Sequence, residues 1–326
     1  MKSNISFIHS TRGKGRPQIV LVGNGLEIRS GQRSWNELVD ALKAPDCLSI
    51  GKQEREKLPF PLLYELLSSP ASIPYPLTKE DIKKEETRLA KAMGKLQHES
   101  NPGLDFLPDL GADHIFTTNY SYCIEKAFFP SKNFLLSCTR SKARFNMNSK
   151  HGDGKNVREV NYRLHTGYLA NNKDGSPVGI WHIHGECTVS QGVVLGHDRY
   201  GRLLSRIEAL CDSQAYTARR DLPIQKSFTS WPELFLYGDI HIIGFGFDLS
   251  EFDLWWLLRR KQRERYADGR VYFYENGKNV EKSTRDLLLA AHGVLIETTN
   301  EMEDFDSFYK QTLQHIAARI KENKKY

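Results

Sequence analysis

Short apolar segments of strand type alternate with helical patterns along most of this chain. Several are apolar throughout, as in parallel strands that are buried on both faces of a sheet. Alternation with helices favours an α/β fold, in which helices cover both faces of the sheet. The six predicted core strands are Gln18–Val22, Asp113–Thr117, Gly179–Ile183, Ile240–Gly244, Arg270–Tyr274 and Gly293–Glu297.

Two stretches interrupt the alternation. Residues 36–108 contain no convincing strand, and their apolar spacing predicts a helical insertion after the first strand. The segment Ser137–Arg163 is polar and basic, which favours a solvated loop over a binding loop. We therefore predict one α/β domain over residues 1–326, with a Rossmann-like parallel sheet, the helical insertion and the basic loop.

Composition limits the class of protein. The formal net charge is +6, an excess that permits an anionic ligand without requiring nucleic acid. No run approaches the roughly 18 apolar residues that span a bilayer, and the first residues resemble no signal peptide. The five cysteines are odd in number and include no C-x-x-C pair, which favours reduced thiols and a cytoplasmic location.

Four unusual clusters fall at the carboxyl ends of predicted strands. All carboxyl ends of a parallel sheet lie along one edge, which is where open α/β sheets bind ligands. The sequence therefore predicts a ligand site at this edge. The clusters are Gly23-Asn24-Gly25, Thr117-Thr118-Asn119-Tyr120, His182-Ile183-His184-Gly185-Glu186 and Gly244-Phe245-Gly246.

The first cluster resembles a phosphate-binding loop but departs from the dinucleotide fingerprint. Gly23 and Gly25 supply the first two glycines of G-x-G-x-x-G, whereas Ile28 stands where the third is expected. A helix starting near Leu26 or Ser34 would direct free N–H groups at a phosphate. The alternative is that the glycines only make a tight turn.

The second and third clusters carry the candidate catalytic groups. Asn119 is either the N-cap of the following helix or an amide that holds ribose hydroxyls or a water. His182 and His184 alternate on a strand, so both are expected on one face. We predict that His182 is structural and that His184 at the strand tip is a general base. A metal site that adds Cys187 or His197 is less favoured, because no compact ligand spacing is present.

The fourth cluster precedes another helix. Ser250 is a candidate N-cap, and Asp253 follows three residues later. Asp253 either supports the helix dipole or faces the cleft.

The four motifs together resemble the SIR2-like, sirtuin-related domains of bacterial antiphage defence proteins. The opening G-N-G with a downstream Ser-Trp is most similar to SIR2 proteins paired with HerA-type ATPases. The second motif commonly reads T-T-N-Y-D, so Ser121 replaces an aspartate here. Glu27 replaces the asparagine or serine that is usual in the first motif.

The resemblance implies NAD⁺ as the substrate. It implies that Asn119 orients the nicotinamide ribose and the attacking water and that His184 is the base. Deacylating sirtuins carry a zinc module with two cysteine pairs, which is absent from this sequence. We therefore predict an NAD⁺ glycohydrolase with no metal. Predicted binding residues are Gly23, Asn24 and Gly25 near the pyrophosphate, Thr118, and Gly244, Gly246 and Asp253 on the adenosine side.

Such an activity depletes NAD⁺ and requires control. The resemblance implies abortive infection as the context, a homo-oligomer, and a separate partner such as a HerA-type ATPase, with no membrane contact and at most indirect contact with nucleic acid. One rival function is a non-catalytic sensor of NAD⁺ or ADP-ribose. A nuclease is a second rival, but the clustered acidic metal ligands of nucleases are missing from the sequence. A dehydrogenase lacks its third glycine.

Overall fold

The structure is a computed structural model of the chain. It describes residues 15–29, 31–71, 78–96, 98–129, 144–146, 164–213, 216, 228, 230–264, 267–277, 283–299 and 304–325. The predicted basic loop, Ser137–Arg163, therefore lies outside the described residues apart from 144–146.

The described strands form one eight-stranded sheet in the order β3-β4-β5-β2-β1-β6-β7-β8. All six predicted core strands are present, and their ends differ from the predicted ends by no more than two residues. The neighbouring strands in the series β5-β2-β1-β6-β7-β8 all pair parallel, so the α/β prediction is confirmed. The strands are β1 (Gln18–Val22), β2 (His114–Thr117), β3 (Arg144–Asn146), β4 (Thr166–Asn171), β5 (Pro177–His182), β6 (Asp239–Ile243), β7 (Val271–Asn276) and β8 (Val294–Thr299).

Two strands were not predicted. β3 pairs antiparallel with β4, and β4 pairs antiparallel with β5, so they extend one edge of the parallel sheet. β4 reads TGYLAN and mixes buried residues with partly exposed ones. An antiparallel edge on a parallel sheet is common in α/β folds.

Helices cover both faces of the sheet, as the sequence predicts. One face packs against the insertion helices, α6 and α11, and the other packs against α7 to α10. The described helices are α1 (Asn24–Ile28), α2 (Trp35–Ala41), α3 (Lys52–Lys57), α4 (Phe60–Ser68), α5 (Lys79–Met93), α6 (Cys123–Phe128), α7 (His197–Cys211), α8 (Trp231–Tyr237), α9 (Phe252–Arg263), α10 (Thr284–Ala291) and α11 (Phe305–Asn323).

The insertion contains helices and no strand among its described residues. It contains α2 to α5 and a 3₁₀ helix, Leu104–Asp109. Capping boxes fix the starts of two of its helices: Ser34 and Glu37 cap α2, and Thr78 and Asp81 cap α5. Among the described residues, no helix has the length and hydropathy needed to cross a membrane.

Candidate active site

A cleft of about 380 Å³ opens at the carboxyl edge of the sheet. The loops that follow β1 and β6 form its floor. Asn24 and Gly25 line it from the first loop, and Gly244 and Gly246 line it from the second. The structure therefore brings together four of the predicted binding residues.

The two glycine loops lie directly against each other. The Gly25 N–H donates to the Gly244 carbonyl at 2.7 Å, and the Gly23 N–H donates to the Ile243 carbonyl at 3.0 Å. A Cβ on Gly23 would overlap the Gly244 carbonyl and lie 2.5 Å from the Phe245 Cα. Gly23 lies behind the cleft, so the packing of the two loops is the structural reason for this glycine.

The second loop has unusual backbone geometry. Gly244 has φ +64° and Phe247 has φ +49°, the latter being the one positive φ among the described non-glycine residues. A bulky residue in this region is strained and is held there by its surroundings. Phe247 is buried and lies edge-on to Trp255, with ring centroids 4.5 Å apart.

The helical insertion supplies a wall of the cleft. Trp35 and Asn36 come from α2, and Phe60 and Pro61 come from α4. The Trp35 ring also packs edge-on against Tyr120, which follows Asn119, at a centroid distance of 5.5 Å. The insertion is thus part of the candidate site.

Asn119 lies beside the cleft in a small adjoining pocket that shares Asn24 and Trp35 with it. The asparagine is not the N-cap of α6, because that helix begins at Cys123 with Tyr122 at the cap position. Its backbone N–H donates to Thr117 Oγ1, whereas its side-chain Nδ2 is buried and has no hydrogen-bond partner. Thr118 is buried and lines neither space.

Glu27 and Ser121, the two residues that differ from the motifs this sequence resembles, meet in this pocket. The Ser121 hydroxyl donates a hydrogen bond to Glu27 Oε2, although the residues are 94 positions apart. Glu27 is 1% exposed, and its Oε1 has no hydrogen-bond partner. Burial raises the pKa of Glu27 to about 7, an effect that the Ser121 and Asn119 side chains partly offset.

The two histidines of the third motif face different neighbours, contrary to the expectation that both share one face. β5 ends at His182, so the alternation of side chains does not continue to His184. His182 contacts the Asn119 carbonyl at 2.8 Å and Glu125 Oε1 at 2.7 Å. Both ring nitrogens of His182 are thereby engaged, as expected of a structural histidine.

His184 lies between two carboxyl groups and is fully buried. Its Nε2 is 3.0 Å from Asp253 Oδ2, and its Nδ1 is 3.7 Å from Glu251 Oε2. Burial lowers the pKa of His184, but Asp253 and Glu251 more than offset this, so the pKa lies above its ordinary value. Burial also raises the pKa of Glu251 to about 7. The ligand-type atoms of His184, Glu251 and Asp253 all lie within 4.8 Å of one another, so the three groups form one compact buried cluster.

Glu251 is the member of this cluster that reaches the cleft. Glu251 and Tyr200 line the cleft, and the Tyr200 hydroxyl donates to Glu251 Oε2 at 3.1 Å. The Tyr200 ring also lies edge-on to His184, with centroids 5.3 Å apart. The imidazole therefore sits directly behind these two residues.

Asp253 has a different neighbour from the one expected. It is fully buried against His184 and lines no part of the cleft. The predicted N-cap is also wrong: the Ser250 hydroxyl donates to Asp248 Oδ1, and α9 begins at Phe252 with Glu251 at the cap position. The Ser250 hydroxyl therefore bonds to the nearby Asp248 side chain instead of capping the helix.

Sequence reasoning missed Glu251 and Tyr200. Glu251 is two residues before Asp253 and close to the Gly244-Phe245-Gly246 motif, so the sequence could have indicated it as a site residue. Tyr200 lies on α7, and no local pattern distinguishes it from a core tyrosine.

The less favoured alternative for the histidine motif was a metal site. Within the described part of the chain, one group of possible ligands has its atoms within 4.8 Å of one another, namely His184, Glu251 and Asp253. His182, Cys187 and His197 are not members of it. The four described cysteines form no disulfide bond.

The fold and the cleft define an α/β protein with a ligand site at the carboxyl edge of its sheet. The family model of the SIR2-like domain matches residues 113–296, which is more than half of the chain. The chain therefore belongs to the SIR2-like domain family. The match begins at Asp113, so the Gly23–Gly25 loop precedes it. A search of curated proteins gave no match. Members of the SIR2-like family are NAD-dependent enzymes, either deacylases or NADases.

Proposed function

We propose that this protein is an NAD⁺ glycohydrolase that cleaves NAD⁺ to nicotinamide and ADP-ribose. The observation that carries the proposal is the gathering of Asn24, Gly25, Gly244 and Gly246 in one cleft, with Asn119 and the His184 cluster beside it. The family supplies the coarser point that SIR2-like domains act on NAD⁺.

The reaction breaks the bond between ribose C1′ and the nicotinamide ring nitrogen. The bonding electrons leave with the ring nitrogen, which loses its positive charge. A water oxygen then bonds to C1′, and the proton of that water must pass to a base. Since the leaving group is already activated, the protein mainly positions the ribose and the water.

The Asn119 amide is suited to hold the ribose and the water. Its Nδ2 is buried without a hydrogen-bond partner, so it has a donor to offer to a ligand oxygen. We assign proton acceptance to the His184 cluster, which the proton enters through Glu251 at the cleft surface. Asp253 holds the imidazole from the opposite side.

Two features favour NAD⁺ itself over an acylated lysine as the object of the reaction. The sequence has no C-x-x-C pair from which to build the zinc module of the deacylating sirtuins. The insertion also places Trp35 and Phe60 on the cleft wall, which encloses the space between the glycine loops and α4.

The test compares two substrates with one preparation of the protein. Chromatography would follow NAD⁺ alone and NAD⁺ with an acetylated lysine peptide. We expect nicotinamide and ADP-ribose from NAD⁺ alone, at a rate that the peptide does not change. Nicotinamide released only with the peptide, together with deacetylated peptide, would make the protein a deacylase.

A non-catalytic sensor of NAD⁺ or ADP-ribose is the second candidate. One observation favours it: His184 is fully buried behind Glu251 and Tyr200. Calorimetric binding of NAD⁺ with no turnover at any protein concentration would support the sensor.

We further propose that the activity is controlled by self-association or by a separate ATPase of HerA type, in an antiphage abortive-infection response in the cytoplasm. Uncontrolled loss of NAD⁺ would harm the cell that makes the protein. Sedimentation with and without the ATPase, combined with nicotinamide release, tests this. Constant activity in a monomer, unaffected by the ATPase, would contradict it.

A further inference from the structure

Glu27 is a buried carboxyl group without a cationic partner. It sits in α1, is 1% exposed, and forms no ion pair with any lysine or arginine in the described part of the chain. An uncompensated buried carboxyl destabilises a fold. Its position beside Asn119 therefore points to a use in the site.

Glu27 and Ser121 together account for the two departures from the family motifs. The Ser121 hydroxyl donates directly to Glu27 Oε2, and both side chains are buried. A carboxyl group placed at either of these two positions would therefore lie in the same pocket.

Asn119 shares this pocket. Glu27, Asn119 and Ser121 all line it, and two buried atoms of these side chains, the acceptor Glu27 Oε1 and the donor Asn119 Nδ2, have no hydrogen-bond partner. The Asn119 backbone is fixed separately by Thr117 Oγ1 and by His182 Nδ1. These contacts hold the backbone of Asn119 but not its side-chain amide. Glu27 Oε1 is an acceptor in the same pocket that could orient this amide.

We propose that Glu27 is a positioning residue of the NAD⁺ site, whose carboxylate is held by Ser121 and orients the Asn119 amide. This inference rests on the proposed function. The carboxylate accepts from the Ser121 hydroxyl through Oε2 and leaves Oε1 for an N–H of Asn119. An oriented amide presents its remaining donor and its carbonyl in one fixed direction, which is what holding a ribose and a water requires.

The protonation state of Glu27 controls this arrangement. A protonated carboxyl has one acceptor oxygen fewer and gains an O–H donor, so it no longer accepts from both neighbours. Among the described residues, His182 favours the carboxylate of Glu27 and Glu125 disfavours it. The Cys123 thiol is adjacent, and Arg33 lines the same pocket without forming an ion pair with Glu27. The pKa of about 7 puts the change within the working range.

The test exchanges the two residues. The variants are Glu27→Ser, Ser121→Asp and the double variant that carries both. We expect Glu27→Ser to lower kcat by about 10-fold to 100-fold, because the amide loses its orientation. Ser121→Asp alone should also lower kcat, since it sets two carboxyl groups side by side. The double variant should recover kcat to within about threefold of the wild type, far from the product of the single effects.

Glu233→Gln is the matched control. Glu233 is a buried glutamate that accepts from a serine, Ser230, at 3.0 Å, but it lies in α8 and lines neither the cleft nor the pocket of Asn119. Its substitution should change thermal stability without changing kcat. Glu27→Gln gives the second readout. It should make the rise of kcat with pH near 7 less steep and leave only the part that Glu251 contributes, whereas a purely structural loss would leave the steepness unchanged.

A double variant no more active than the single variants, or unchanged kcat in Glu27→Ser, would overturn the inference. Measurements of NAD⁺ binding and of thermal stability distinguish failure of this inference from failure of the proposed function. If the wild type neither binds nor cleaves NAD⁺, the proposed function falls and the positioning role falls with it. Thermal denaturation of the same variants would then still show whether Glu27 and Ser121 are coupled, which would make them a structural pair.

Discussion

His184 Nε2 lies 3.0 Å from Asp253 Oδ2, and neither side chain is exposed. The two residues come from different elements, the turn after β5 and the first turn of α9. The contact fixes which ring nitrogen faces Asp253 and leaves Nδ1 directed at Glu251. Because Asp253 has no other hydrogen-bond partner in the described structure, its position serves the histidine.

Substitution of Asp253 by asparagine should disable this histidine. The amide keeps the shape of the carboxyl but removes the charge that stabilises the imidazolium. We expect kcat for NAD⁺ cleavage to fall by about 100-fold or more, with little change in KM. The double variant with His184→Ala should be no slower than His184→Ala alone. Additive losses would mean that Asp253 acts elsewhere.

The glycine loops provide a matched pair of substitutions. A methyl group at Gly23 would overlap the Gly244 carbonyl, whereas a Cβ at Gly246 meets no atom within 4 Å. Gly23→Ala should therefore lower the free energy of unfolding by about 3 kcal/mol. Gly246→Ala should keep its stability to within about 1 kcal/mol. Chemical denaturation measures both.

The same pair separates packing from ligand contact. Gly246 lines the cleft, so its added methyl group should obstruct the ligand and raise KM for NAD⁺ by about tenfold. Unchanged KM in Gly246→Ala would show that the ligand does not pass this loop.

Lys261 joins α9 to the start of β6. Its ammonium donates to the carbonyls of Phe235, Leu236 and Gly238 at 2.8–3.1 Å, and burial lowers its pKa to about 7. Lys261→Met keeps the length of the side chain but leaves three carbonyls without this donor. We expect a loss of roughly 2 to 4 kcal/mol in the free energy of unfolding. Lys57→Met, at an exposed lysine, should change it by less than about 0.5 kcal/mol.

His241 gives a pH dependence with a definite sign. It is buried in β6, where burial lowers its pKa from 6.5 to about 3. As pH falls below 6.5, the unfolded chain takes up this proton and the folded chain does not. The neutral histidine therefore contributes stability that is fully present above pH 6.5 and is lost as the pH falls towards 3.

Comparison with His241→Asn isolates this contribution. The difference in unfolding free energy between the wild type and the variant should shrink by about 1.4 kcal/mol for each pH unit between 6.5 and 4.5. Urea denaturation at several pH values measures it, and the same substitution at the exposed His197 is the control. A difference that is constant with pH would show that His241 titrates alike in both states.

The sheet was predictable because its signal is local. Strands buried on both faces are apolar throughout or nearly so, as in β1 and β6, whose residues are all buried. Strand β4 was missed because TGYLAN mixes polar and apolar residues and is only partly buried. Ser250 failed as a cap because Asp248 binds its hydroxyl, a competition that the sequence alone does not decide.

The site was predictable only as far as strand ends bring residues together. That rule placed Asn24, Gly25, Gly244 and Gly246 around one cleft. The Tyr200–Glu251 and Ser121–Glu27 contacts join residues 51 and 94 positions apart, and they depend on how helices pack over the sheet. In the sequence, Glu27 and Ser121 are two unrelated differences from the motifs that the chain resembles, and only the fold shows that they are in contact.

The most direct test of the central claim follows nicotinamide released from NAD⁺ by the wild type, Asn119→Ala and His184→Ala, with circular dichroism to confirm that all three fold. The account predicts nicotinamide and ADP-ribose in equal amounts from the wild type and almost none from either variant. Equal release by all three folded proteins would contradict the assignment of the site. Tight NAD⁺ binding without release by the wild type would contradict the enzyme and leave a sensor.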